Sequence, residues 1–134
     1  MRTIVNLIMV CLFSAVIFAQ EKPVKIVFDV TSGNTSIHES AVKHVKMMAP
    51  DSKFELAMYS VAYRMVVKGI STVSEQMREL GVIENVDLVV CQASLNRHKI
   101  EDTQLISGVR AVSDGILEII QKQGLGWGYI KEAQ

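Results

Sequence analysis

The chain has 134 residues, 49% of them hydrophobic and 21% charged, which is enough apolar material for one core and too much for disorder. Lysine plus arginine and aspartate plus glutamate number 14 each. That balance gives no electrostatic ground for binding nucleic acid or an anionic membrane surface.

In chain order, residues 1–20, MRTIVNLIMVCLFSAVIFAQ, come first. They place Arg2 before an apolar run and Ala19-Gln20 before the charged Glu21 and Lys22. This is the layout of a secretory signal peptide, cleaved after Ala19 or Gln20, which leaves residues 21–134 as one exported domain with no membrane attachment. In a Gram-negative cell the destination is the periplasm. Cys11 leaves with the leader, and Val10 before it does not suit lipidation. Cys91 is then the one cysteine remaining, in surroundings where cysteines are usually paired.

VKIVFDV (24–30) is short, apolar and β-branched, and reads as a buried strand. TSGNTS is a turn cluster, and Ser36 with Glu39 has the form of a capping box. Ile37, Ala41, Val45 and Met48 follow on one face of a helix that ends near Ala49-Pro50. KFELAMYS (53–60) reads as the second strand. VAYRMVVKGI (61–70) is apolar yet irregular, either a short helix or a covering loop, and is the expected subunit contact. TVSE (72–75) repeats the capping pattern before a helix that stops at Gly81. VDLVVCQ (86–92) is the third strand, and ASLNRH (93–98) one or two helical turns. VRAV (109–112) is a short fourth strand. SDGILEIIQKQG (113–124) is a helix with Ile116, Ile119 and Ile120 inward, and WGYIK (127–131) is a fifth strand.

Alternating strands and helices predict a single-domain α/β three-layer sandwich: a largely parallel five-stranded sheet with helices on both faces. In such sheets ligands and reactive groups gather at the carboxyl ends of the strands. DVTSGNTS, YSVAYR and CQASLNR then share one rim, with Asp29, Thr31, Ser32 and Asn34 lining it.

Cys91 falls where a strand meets a helix start. Helix N-terminal N–H groups favour the thiolate and lower its pKa. Ser94 is placed to hydrogen-bond the sulfur, and Arg97 adds positive charge. A thiolate there attacks sulfane sulfur or a disulfide. Two other roles stay open: inert packing, since free cysteine is often buried, and an interchain disulfide.

TSGN (31–34) lacks the Walker and dinucleotide glycine patterns, so it reads either as an anion-binding turn or as a plain helix cap. His38 and His44, six apart, face different sides of a helix, and His98 is remote, so no metal site is expected. Met47, Met48, Met58, Met65 and Met77 read as packing residues rather than soft ligands. No cofactor is expected.

Four segments carry a resemblance: KIVFDVTSGN, the C-x-x-x-L-x-R run of Cys91, Leu95 and Arg97, SGVRAVSDGILEIIQKQ, and GWGYIK. In that order, across residues 24–131, the chain resembles the DsrE/DsrF-like family of sulfur-relay proteins, nearest to an exported branch of small single-domain members. The resemblance implies a compact α/β sandwich and assembly as a homo-oligomer, a trimer or hexamer. It also implies a strand-end cysteine that carries sulfur as a persulfide between donor and acceptor partners. Cys91 falls on that position. The expectation is a carrier with Cys91 as the reactive group, Ser94 and Arg97 supporting it. Two rivals stand beside it: a binding module for a small ligand or partner in which Cys91 only packs, and a structural building block.

Overall fold

The computed structural model describes residues 21–132. The leader reading, residues 1–20, lies outside the described residues.

Five strands form one sheet: β1 (Val24–Val30), β2 (Ser52–Met58), β3 (Val86–Cys91), β4 (Val109–Val112) and β5 (Gly128–Lys131). Their order is β4-β3-β2-β1-β5, and every pairing is parallel. β1, β2 and β3 are covered on both faces, which is why they read as near-continuous apolar runs.

Four helices cover the sheet: α1 (Thr35–Met48), α2 (Ser74–Gly81), α3 (Gln92–Arg97) and α4 (Gly115–Gly124). Ile26, Phe28, Phe54, Leu56 and Leu88 point to one face. There they meet Ile37, Ala41 and Val45 of α1, and Met77 and Leu80 of α2. Phe54 is fully buried; truncating such a side chain to alanine costs about 3–5 kcal/mol. On the opposite face Val27, Ala57, Ile119 and Trp127 make a smaller core beneath α4. The expected three-layer α/β sandwich is the observed architecture.

Chain order steps from β1 to β4 in one direction, then crosses to β5 on the far side of β1. The topological switch therefore lies between β1 and β5. Crevices open at the carboxyl ends of the strands at such a point.

Local details differ from the sequence reading. The cap of α1 is Asn34, whose side chain accepts the Ser36 N–H, not Ser36 itself. α2 starts after Val73 with no side-chain cap, so the Thr72–Glu75 capping pattern is not formed; Ser71 instead bonds Met65 O and the Val73 N–H. Residues 61–70 divide between core and surface, with Val61 36% and Ile70 46% exposed. Ser60–Met65 is a 3-10 helix, and Ala62, Tyr63, Met65, Val66 and Val67 are buried in the chain's own core. In α4 only Ile119 of the three isoleucines is buried, while Ile116 and Ile120 are 54% and 58% exposed. The inward face instead carries Lys122, drawn in by the buried carboxylate of Glu55 at 2.7 Å. Met58, Met65 and Met77 pack in the core as expected, but Met47 is 65% exposed.

Candidate functional site

Cys91 ends β3 and occupies the N-cap position of α3. Its side chain lies on the face covered by α4. The residue is 5% exposed, but its surroundings are polar on one side. Burial alone pushes its pKa up. The N–H of Gly115, the Ser94 hydroxyl, and the N–H groups of Ser94 and Ala93 together outweigh burial and bring the thiol below its ordinary value. None of them closes a tight capping bond on the sulfur; they converge on it as oriented dipoles.

Two helix starts thus face one sulfur. In α4, Asp114 caps the helix by accepting the N–H groups of Ile116 and Leu117. That leaves the preceding N–H, of Gly115, directed at Cys91. The approach is close: a Cβ on Gly115 would sit 3.2 Å from Cys91 Cβ and 3.0 Å from Tyr59 Cβ. Glycine is a poor helix former, and here the absent side chain is what lets the backbone reach the thiol.

Ser94 is held by the neighbouring loop. Its Oγ accepts the Ser60 N–H at 2.8 Å, which leaves the hydroxyl proton available to the sulfur. Ser60 has φ of 57°, a left-handed conformation uncommon outside glycine. The tertiary bond to Ser94 compensates for part of that cost.

Asp29 is 1% exposed, near the carboxyl end of β1 on the same face. Its Oδ2 accepts the hydroxyls of Tyr129 at 2.7 Å and Tyr59 at 3.3 Å. Its Oδ1 has no partner among the described residues. Burial, then the bond to Asp29, push Tyr129 up to about 12. Tyr59 is raised for the same two reasons, burial and the Asp29 charge. Tyr59 therefore joins the two ends of the site: its hydroxyl meets Asp29 and its Cβ lies against the Gly115 backbone beside Cys91.

Thr31 and Ser32 line an open cavity of about 570 Å³ at the topological switch, together with Ser60, Val61, Lys131 and Glu132. Asn34 is spent on capping α1, with Oδ1 taken by the Ser36 N–H and hydroxyl. His38 Nε2 donates to Ser32 O at 2.7 Å and pins the same turn. TSGN is thus a turn and cap. Arg97 is not at the sulfur: it is exposed in the last turn of α3, six residues from Cys91. The helix carries it about 9 Å along the axis. Next to it His98 packs on the Tyr63 ring.

No family model matches the chain, and no curated protein matches it. Among solved structures it is similar to MTH1491, a protein of unknown function from Methanobacterium thermoautotrophicum. Identity there is 25% and the TM-score 0.75, over 81% of this chain and 98% of that one. It is also similar to the ychN protein from E. coli, with 18% identity and a TM-score of 0.59, over 82% of this chain and 98% of that one. The likeness supports a DsrE-like fold.

Within that fold, Cys91 and Ser94 come together as the sequence suggested, and Asp29 shares their face. Gly115, Ser60, Tyr59 and Tyr129 complete the site; Tyr59 and Ser60 open the YSVAYR rim segment, while Gly115 and Tyr129 were not singled out from sequence. A glycine opening a helix directly after a capping aspartate was the one available signal for Gly115. Nothing local marked Tyr129, 100 residues from Asp29.

Proposed function

We propose that the protein is an exported sulfur carrier of the sulfur-relay type that holds sulfane sulfur as a persulfide on Cys91. The observation that carries this reading is the convergence of the Ser94 hydroxyl and three N–H groups on a strand-end thiol, lowering its pKa against burial. The DsrE-like fold supports it.

The step is a sulfur transfer. The Cys91 thiolate attacks the outer sulfur of a persulfide donor R–S–SH. A bond forms from Sγ to that sulfur, the donor S–S bond breaks, and RS⁻ leaves with the electron pair. The product is Cys91–S–SH. The donors that favour the thiolate also favour the persulfide anion, whose charge lies one atom further out. Delivery runs the same exchange toward an acceptor thiolate. The carrier acts as a homo-oligomer, a trimer or hexamer, with exposed Ile116, Leu117 and Ile120 of α4 as the contact surface beside the site. Ile120→Lys lowers the assembly mass by light scattering on this reading; an unchanged mass removes α4 from the interface.

The direct test is incubation with a polysulfide donor followed by intact-mass measurement. One added sulfur is expected, and none in Cys91→Ser. A native protein that stays unmodified, while its denatured form is modified, overturns the carrier reading.

A second reading rests on a different observation, the cavity at the β1–β5 switch. There the protein is a binding module for a small ligand, and Cys91 packs as a structural residue. Ligand binding unaffected by Cys91→Ser, with no sulfur uptake, selects it.

A further inference from the structure

The last turn of α1 carries a feature unrelated to the cysteine. His44, Met47 and Met48 stand at i, i+3 and i+4, so they share one side of the helix. All three line one open cavity of about 420 Å³, with Phe28 and Glu132.

Two observations set this cluster apart from ordinary packing. Met47 is 65% exposed, so its side chain opens to solvent rather than filling the core. Second, the histidine is oriented. His44 Nδ1 lies 2.9 Å from Glu132 Oε2, and the Glu132 side chain is only 7% exposed. A carboxylate accepts and cannot donate, so Nδ1 carries a proton and Nε2 is the ring nitrogen left to ligate. Metal-binding imidazoles are commonly held in this way, with a carboxylate on the far nitrogen fixing tautomer and ring orientation.

We propose that His44 Nε2 and the thioether sulfurs of Met47 and Met48 form a Cu(I) site. The ligand set selects the metal. Two soft thioethers and one imidazole suit Cu(I), whereas Zn(II), Mg(II) and Ca(II) prefer thiolate, imidazole or oxygen donors. The ligands are neutral, and the Glu132 carboxylate behind His44 balances the monocation. The helix places its C-terminal, negative dipole end at the same turn. Lys131 also borders the cavity. It is exposed, and no ion pair holds it there among the described residues. Met48 is half-buried against the main core, whereas Met47 is exposed. It lies across the sheet from Cys91 and does not depend on the sulfur-carrier reading.

The test uses the full chain with Cys11→Ser and Cys91→Ser, so that no thiol competes. Anaerobic titration with Cu(I) against a chromophoric chelator is expected to show one equivalent bound. Met47→Leu/Met48→Leu keeps the packing volume, and His44→Gln removes the nitrogen; circular dichroism confirms that each is folded. Both variants are expected to bind Cu(I) at least tenfold more weakly. No uptake by the thiol-free parent, or less than a tenfold loss in the methionine variant, overturns the site. Should His44→Gln fail to fold, the methionine variant decides alone.

Discussion

Ser94 Oγ accepts the Ser60 N–H at 2.8 Å, which ties to the neighbouring loop one of the side chains that act on Cys91. The Ser94 hydroxyl held there is one of the donors that lower the Cys91 pKa. The alkylation rate of Cys91 is therefore expected to rise with pH through a midpoint below the ordinary thiol value of about 8.5. Ser94→Ala removes one donor and moves the midpoint upward. Iodoacetamide rates across a pH series that spans the midpoint measure both. A midpoint unchanged by Ser94→Ala would show that the hydroxyl does not reach the sulfur.

Gly115→Ala tests the close approach of α4. The new methyl would meet Tyr59 Cβ at 3.0 Å and Cys91 Cβ at 3.2 Å, neither of them the end of a flexible chain. Overpacking of this kind costs about 1–3 kcal/mol, which outweighs the better helix propensity of alanine, about 1 kcal/mol. Urea unfolding should show a net loss of stability, and the Cys91 alkylation midpoint should rise as the Gly115 N–H is displaced. A more stable variant contradicts the packing described.

Asp29→Asn tests the tyrosine pair. Tyr129 titrates at about 12 because of burial and because its proton is held by the Asp29 carboxylate. Removing the negative charge lets the phenolate form at lower pH, so the alkaline absorbance transition moves toward the ordinary value of about 10. The linkage follows the raised value. Tyr129 stabilises the fold below its unfolded pKa, and this is lost as pH rises through the folded value, in the window from about 10 to about 12. In Asp29→Asn this window narrows, so the Tyr129-linked loss of stability at alkaline pH becomes smaller. An absorbance transition identical to the parent's would refute the hydrogen bond.

Lys122 and Glu55 test the charge pair under α4. Glu55 is fully buried. Burial raises its pKa, and Lys122, in contact at 2.7 Å but poorly aligned as a hydrogen bond, only partly offsets this. Lys122→Met strands the carboxylate, with Arg110 3.5 Å away as the remaining cation. A loss of about 3 kcal/mol at neutral pH is expected, in line with broken buried pairs. Adding Glu55→Gln should restore most of it, because no charge is then left unpaired. A double variant as unstable as the single one would mean that Lys122 acts through its packing on Trp127.

The strands were legible because parallel, doubly covered strands demand continuous apolar runs. KIVFDV, FELAM and VDLVVC satisfy that demand without help from distant residues. The strand-end position of Cys91 followed from the same pattern. The faces of α4 were not legible. Apolar residues were assigned inward, yet Lys122 turns to the sheet because Glu55, 67 positions earlier in the chain, waits there. Segment 61–70 is only partly legible: its irregular backbone suggests a surface, which Val61 and Ile70 still offer, while the bonds Ile106 N–H to Val66 O and Lys68 N–H to Gln104 O tie its middle down among core residues.

By itself the sequence determined the number and type of elements, the parallel grammar and a thiol at a strand end. These are local properties, set by periodicity over a few residues. Only the tertiary structure decided what surrounds that thiol. Gly115, Ser60 and Ser94 meet at Cys91 because the sheet order brings three separate segments to one edge. Hydrogen-bond donors act on a sulfur through distances of a few ångströms, and spacing along the chain does not encode such distances.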